Sequence, residues 1–183
     1  MTREEALKSI KANIENGNSI KHMLATEAIM RALAKHLGED GEEWGLTGLL
    51  HDIDMELTEG DMNTHSKLGA DLANELGASE AMVHAILCHN EAHGIPRETK
   101  LDKALFCVDP LTGLITAAAL VRPDRKLASL EAKSVIKKFK QKSFAAGANR
   151  QQIALCSEIE IEFGQFIELG LTAMRGIAAD LGL

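Results

Sequence analysis

The stretch GLLHDIDMELTEGDMNTHSK, residues 48–67, decides how the rest of the chain is read. The apolar pair Leu49-Leu50 runs directly into His51-Asp52, two side chains that resist burial unless something compensates them. Asp54 and His65 follow in the same stretch. A helix that buries leucines and ends on these residues either carries ordinary surface charge at its end or forms part of a metal site.

Outward from this stretch, the apolar spacing is helical almost everywhere and strand-like alternation is hard to find. Residues 3–15 predict a short amphipathic helix. A second, from about Ser19, carries His22, Ala25, Ile29 and Leu33 on one face and closes at Gly38, the usual left-handed cap. Residues 42–51 predict a third helix. Asn63 or Thr64 predicts the start of a fourth that runs through Leu76, and Ser79 caps a fifth over 80–90. The next two are expected over 99–109 and 110–121, with a kink or fresh start at Pro110. A long last helix is expected from Asn149, with Gln152 completing a capping box. With no repeat, low-complexity segment or linker, the chain reads as one all-α domain over 1–183. Its motif core is 18–122, followed by a C-terminal helical extension over 123–183.

Composition narrows the function. The 183 residues suffice for one substantial core. A net charge of −7, with one Trp, five Phe and no Tyr, argues against general nucleic-acid binding and against an aromatic base-stacking platform. The first ten residues lack the apolar core of a signal peptide, and no apolar stretch looks long enough to span a membrane. Cys88, Cys107 and Cys156 form no CxxC pair and suggest a reduced, cytoplasmic setting. Cys88 reads as a small buried apolar residue.

The chemistry gathers in a few polar residues. His22 shares its face with apolar residues and should point inward. His65 opens a helix, His89 ends one, and Asp109 follows Leu105-Phe106-Cys107-Val108, where a carboxylate needs a partner. A divalent cation supplies that compensation. Imidazole with carboxylate suits Mn, Fe, Co, Ni or Zn better than Ca, and Mg remains open. Neighbouring helical residues project about 100° apart, so His51 and Asp52 reach one ion together only at a helix end. Asp52 has two oxygens and can bridge to a second ion held by His65 and His89. His36 and His84 read as structural. His93 lies four residues after His89, but HNEAH is not the HExxH of a zinc protease.

The order His22, His51-Asp52, Asp109, with GLLHDID, HSKLGADLANELG and ILCHNEAHG around it, resembles the HD superfamily of metal-dependent phosphohydrolases over roughly residues 18–122. That resemblance implies an all-helical bundle with one or two metal ions. His22, His51, Asp52 and Asp109 match the family's core ligands, and His65 and His89 match the extra histidines of its dinuclear members. His89-Asn90 and GIP at 94–96 depart from the double histidine and GYP of some dinuclear relatives. The departure removes support for a third metal and for cyclic-dinucleotide hydrolysis of the HD-GYP type.

The expected reaction is hydrolysis of a phosphate ester by metal-activated water. Asp52 serves as ligand and catalytic carboxylate, and Asp54 and Glu91 are candidates for proton handling. Segment 131–150 has six basic residues against Glu131. From it Lys133, Lys137 and Arg150, together with Arg122, are candidate contacts for substrate phosphate. The expected partner is a small phosphorylated substrate, nucleotide-like or otherwise, with no general nucleic-acid binding and no membrane; a homodimer is allowed. Two alternatives stay open. Four histidines and two aspartates also match HD-type di-iron oxygenases, although the absence of Tyr excludes variants that use one near the iron. A metal- or nucleotide-binding module without turnover is the other.

Overall fold

The structure, a computed structural model, describes residues 1–183 and contains helices and turns but no strand. In chain order the helices are α1 (Arg3–Asn13), α2 (Gly17–Leu37), α3 (Gly41–Leu50), α4 (Lys67–Glu75), α5 (Glu80–Cys88), α6 (Lys100–Leu120), α7 (Ala132–Phe139), α8 (Arg150–Ala154), α9 (Phe163–Gly176) and α10 (Ala178–Leu181). Short 3-10 turns occupy Glu91–His93, Leu127–Ser129 and Leu155–Ile159. The all-α expectation holds.

Local chemistry sets the helix ends. Thr2 and Glu5 form a reciprocal capping box on α1, and Asp40 accepts from the backbone N–H groups of Glu42 and Glu43 to start α3. Gly38 closes α2 at φ 75°, the left-handed conformation expected of it.

Three boundaries differ from expectation. Helix α4 starts at Lys67, later than Asn63 or Thr64, because the Asp61 carboxylate accepts from Asn63 N–H and Thr64 Oγ1 and holds those residues in a turn. The stretch expected as one long helix from Asn149 divides into α8, a 3-10 turn and α9. Ile159 and Ile161 both reach the core although they lie two apart, which one face of a continuing helix does not permit, and Glu160 between them turns at φ 63°. Asn149 does cap α8, but Gln152 reaches Glu91 instead of closing a box.

The third difference is at Pro110, which interrupts nothing: α6 is a single helix through it. An internal proline costs about 3 kcal/mol. Burying one large apolar side chain returns about 1.5–3 kcal/mol, and Leu105, Val108, Leu111, Leu114 and Ile115 are all fully buried along α6. Packing therefore outweighs the lost hydrogen bond. By length and composition α6 also matches a membrane span, contrary to the sequence expectation, but 67% of that window is buried inside the protein as its central helix.

Apolar side chains fall into two clusters. The larger surrounds α6 with Ile29 and Leu33 of α2 and Phe166 and Leu171 of α9. The smaller joins Ile10, Met23, Leu49, Leu50, Ile53 and Ile86. Helices α2 and α5 contribute to both, and α2 lies tightly against α3. A Cβ on Gly48 would meet the Thr26 carbonyl at 3.0 Å, so only glycine lets the two backbones approach this closely.

Candidate metal centre

Four imidazoles and two carboxylates converge where α2, α3, α5 and α6 meet. Helix α2 supplies His22, and Asp109 projects from mid-α6. His51 and His89 are the residues that end α3 and α5. His65 comes from the turn segment before α4. His51, His65 and His89 are buried, and Asp52 keeps only 13% of its side chain exposed.

Asp52 divides the group in two. Its Oδ2 lies 3.4 Å from Nε2 of both His22 and His51, and its Oδ1 lies 3.5 Å from Nε2 of both His65 and His89. Asp109 Oδ1 joins the first half, 3.1 Å from His22 Nε2 and 3.9 Å from His51 Nε2.

Every imidazole is oriented from behind through Nδ1. His22 donates to Thr112 Oγ1 (2.8 Å), His51 to the Gly48 carbonyl (2.8 Å), His65 to Asp54 Oδ1 (2.8 Å) and His89 to the Ile86 carbonyl (2.5 Å). With Nδ1–H committed in each ring, every Nε2 atom faces inward. His22 and His51 bring theirs to 3.1 Å, a repulsive arrangement unless a cation or proton lies there. The donor set therefore fits one or two divalent ions: His22, His51 and Asp109 come close enough to share one, as do His51, Asp52 and His89, and His65 adds a nitrogen 3.5 Å from Asp52 Oδ1.

The charges agree with that fit. Burial works against a His22 imidazolium, yet Asp109 and Asp52 outweigh it and push His22 up to about 10. Burial favours protonation of Asp52, but His51, His22 and His89 hold its carboxyl well below the usual range. Asp109 is held low against the same burial, chiefly by His22. Full burial pushes His51 down.

Asp54, expected to handle protons, faces away from the opening. It is fully buried, and Oδ2 accepts from Ser66 N–H (2.8 Å) and Gly69 N–H (2.7 Å) while Oδ1 holds His65. Ser66 sits in the left-handed region at φ 70°, a costly conformation for serine, pinned by that amide bond and by Oγ donating to the Leu87 carbonyl. Glu91 is exposed on the wall of a cavity of about 480 Å³ that opens onto Asp52, His65, His89 and Asp109. Asn149 and Gln152 line the same wall, and Gln152 Nε2 donates to Glu91 Oε2 at 2.8 Å.

The expected phosphate contacts do not gather at this opening. Arg122 and Lys137 share a separate shallow cavity of about 360 Å³ and neither lines the one at the centre. Lys133 pairs with Glu131 at 2.7 Å. Arg150 is a structural residue: its guanidinium donates to the carbonyls of Phe139, Gln141, Phe144, Ala145 and Ala148, folding the loop whose Gly147 borders the centre.

Sequence reasoning missed Thr112 and Asn90. Thr112 stands one turn after Asp109 on α6, and that spacing was the available signal. Asn90 Nδ2 donates to the carbonyls of Met62 (2.8 Å) and His65 (3.0 Å), fastening the His65 turn to the end of α5. His93 also reaches the His65 carbonyl, at 2.7 Å, and is not part of the cluster.

The HD domain family model matches residues 19–134, a span that contains all six converging residues. The chain belongs to the HD domain family. HD domains are generally metal-dependent phosphohydrolases, and this one carries a His/Asp cluster able to bind metal. Curated relatives include Ribonuclease Y of Lawsonia intracellularis, 32% identical over 71% of this chain and 23% of its own length. Ribonuclease Y of Oleidesulfovibrio alaskensis is 28% identical over 79% of the chain and 28% of its own. Ribonuclease Y of Geobacter metallireducens is 26% identical over 90% of the chain and 32% of its own. This HD domain thus spans about a quarter to a third of the length of these relatives. No solved structure matches. The relatives' name corrects one expectation: a small phosphorylated substrate and no general nucleic-acid binding conflict with similarity to enzymes named for acting on RNA. Net charge could not decide the matter, because it averages over the whole surface and says nothing of a local cleft.

Proposed function

We propose that this HD domain is a metal-dependent phosphodiesterase acting on RNA. The observation that carries the reading is the Asp52 carboxylate, whose two oxygens each face a separate pair of imidazole nitrogens at 3.4–3.5 Å. A carboxylate shared this way suits two ions, with His22, His51 and Asp109 on one side and His65 and His89 on the other. Ions held there would lower the pKa of water and stabilise the attacking and leaving oxygens of a phosphoryl transfer.

The chain's own residues do the rest. The Nδ1 hydrogen bonds hold all four rings with Nε2 turned to the centre before any ion arrives, so that beyond loss of the His22 proton little reorganisation is left for the moment of reaction. The cavity reaches the centre from the side of Asp52, His65, His89 and Asp109. A backbone phosphate would enter there, between Asn149 and Gln152 on one wall and the cluster on the other. Glu91, which Gln152 reaches at that opening, would relay a proton from solvent to the leaving ribose oxygen. The similarity to proteins named Ribonuclease Y supports RNA as the substrate class.

The test is cleavage of labelled RNA and DNA oligonucleotides, with small phosphomonoesters and phosphodiesters beside them. Chelator-stripped protein would be reloaded in turn with Mn, Mg, Co, Ni, Zn or Fe. The expected result is RNA cleavage that requires metal and disappears in Asp52→Ala together with bound metal. Undiminished RNA cleavage by stripped protein, or by Asp52→Ala, would overturn the reading.

A further inference from the structure

A second group of ligand-type side chains lies outside this centre, between α5 and the first turn of α6. His84 and Cys88 stand four residues apart on one face of α5, and Asp102 faces them from α6. One ligand atom from each lies within 4.8 Å of the other two, so a side-chain movement of about 1 Å would bring them to the roughly 3.3–3.8 Å that separates ligands of one tetrahedral ion.

Asp102 is fully buried and lopsided. Its Oδ2 accepts from Glu98 N–H (2.9 Å), Thr99 N–H (2.9 Å) and His84 Nδ1 (3.1 Å). Its Oδ1 is buried and has no hydrogen-bond partner, the one side-chain nitrogen or oxygen in the protein left so. Capping of α6 explains Oδ2 alone. Buried carboxylate oxygens without partners are rare, and this one belongs to a carboxylate that lies beside a thiol and an imidazole.

Cys88 is buried, while His84 is about one third exposed, which leaves an open side for water as a fourth ligand. The nearby cation, the Arg97 guanidinium, is engaged elsewhere. It stacks 3.6 Å from the Phe106 ring centroid and donates to the Cys88 carbonyl at 3.4 Å.

We infer that His84, Cys88 and Asp102 form a separate zinc-type site that ties α5 to α6. A sulfur, nitrogen and oxygen donor set with one open position suits Zn or Co, whereas the main centre offers no sulfur. The site's place in the fold gives it a purpose. Cys88 precedes His89, so an ion held there braces the end of α5 from which His89 reaches the main centre.

Cobalt distinguishes the two sites, because only a thiolate ligand adds an intense near-ultraviolet sulfur-to-cobalt charge-transfer band. Full-length protein titrated with Co(II) is expected to show this band. Asp52→Ala, which disables the main centre, should keep it. Cys88→Ser should abolish it and bind one zinc ion per chain fewer, and His84→Ala should weaken the band's cobalt affinity at least tenfold. The His84 variant alters a partly exposed side chain, so it remains informative if Cys88→Ser folds poorly. No thiolate band in wild type, a band surviving Cys88→Ser, or unchanged affinity in His84→Ala overturns the site. In that case a Cys88 S–H bond to Asp102 is the simpler account. Because Asp52→Ala separates the readouts, failure here leaves the RNA-cleavage test standing, and the reverse also holds.

Discussion

Asp54 lies directly behind His65, with its Oδ1 2.8 Å from the imidazole Nδ1 and its Oδ2 fixed by two backbone N–H groups. The carboxylate has no other accessible work, because it is fully buried. Its effect on chemistry therefore runs through the direction in which His65 points.

Asp54→Asn places an amide where three donors converge, so at least one N–H faces another. The expected outcome is a 10–100-fold loss of affinity at the His65/His89 half, with the His22/His51/Asp109 half little changed. Isothermal titration with Mn resolves the two steps. Equal weakening of both halves would mean that Asp54 supports the fold generally and not His65.

Thr112 plays the corresponding part for His22. Its Oγ1 accepts from His22 Nδ1 at 2.8 Å while donating to the Asp109 carbonyl at 2.8 Å. Thr112→Val keeps the shape and removes both bonds. Stability should fall by about 1–3 kcal/mol in the metal-free protein, and metal affinity should fall about 10–100-fold. Thr112→Ser should restore most of both, as read by denaturant melts and metal titration.

In metal-free protein His22 holds its proton up to about pH 10, against an ordinary value of 6.5. A pKa raised by folding stabilises the native state fully below the unfolded value, and that contribution fades as pH rises through the folded one. The melting temperature of stripped protein should therefore decline between about pH 7 and pH 10 from this group. Metal binding displaces the same proton, so apparent affinity should climb by up to about tenfold per pH unit across neutrality. Metal titrations in buffers spanning that range would count the protons released. Pre-loaded protein should lack the His22 decline, and a flat affinity profile would contradict the assignment of His22 as a ligand.

Arg150 gives a contrast between structure and substrate binding. With its N–H groups spent on loop carbonyls, Arg150→Lys cannot replace the fork of bonds. Both Arg150→Lys and Arg150→Ala should lose about 1.5–3 kcal/mol of stability. A raised KM with unchanged melting behaviour would instead return Arg150 to the substrate.

The sequence revealed residue types and order better than it revealed orientation. That His22, His51, Asp52, His65, His89 and Asp109 converge could be anticipated because each is a polar group within or flanking an apolar helical run, in the order that carries the family resemblance. Asp54 shares that property but was assigned to proton transfer, since spacing cannot say which way a carboxylate faces. The unbroken α6 was hidden because proline is a local signal, whereas the apolar contacts that carry the helix past Pro110 come from α2 and α9. The division of the last helix depended on two isoleucines both seeking the core. Arg150 looked like a phosphate ligand because its partners are backbone carbonyls, which every sequence contains and none advertises.

Gly48 works as a gauge for the metal centre. Its carbonyl holds His51 Nδ1, and its missing Cβ sets how near α3 comes to α2, the helix that carries His22. The span across the two facing nitrogens is thus written into a side chain that is not there. A methyl at this position, meeting the Thr26 carbonyl at 3.0 Å, would push the helices apart by a few tenths of an ångström. Such a change is comparable to the difference in bond length between a small and a large divalent ion. The size of ion that the proposed centre would prefer is accordingly tunable from a residue outside the ligand set.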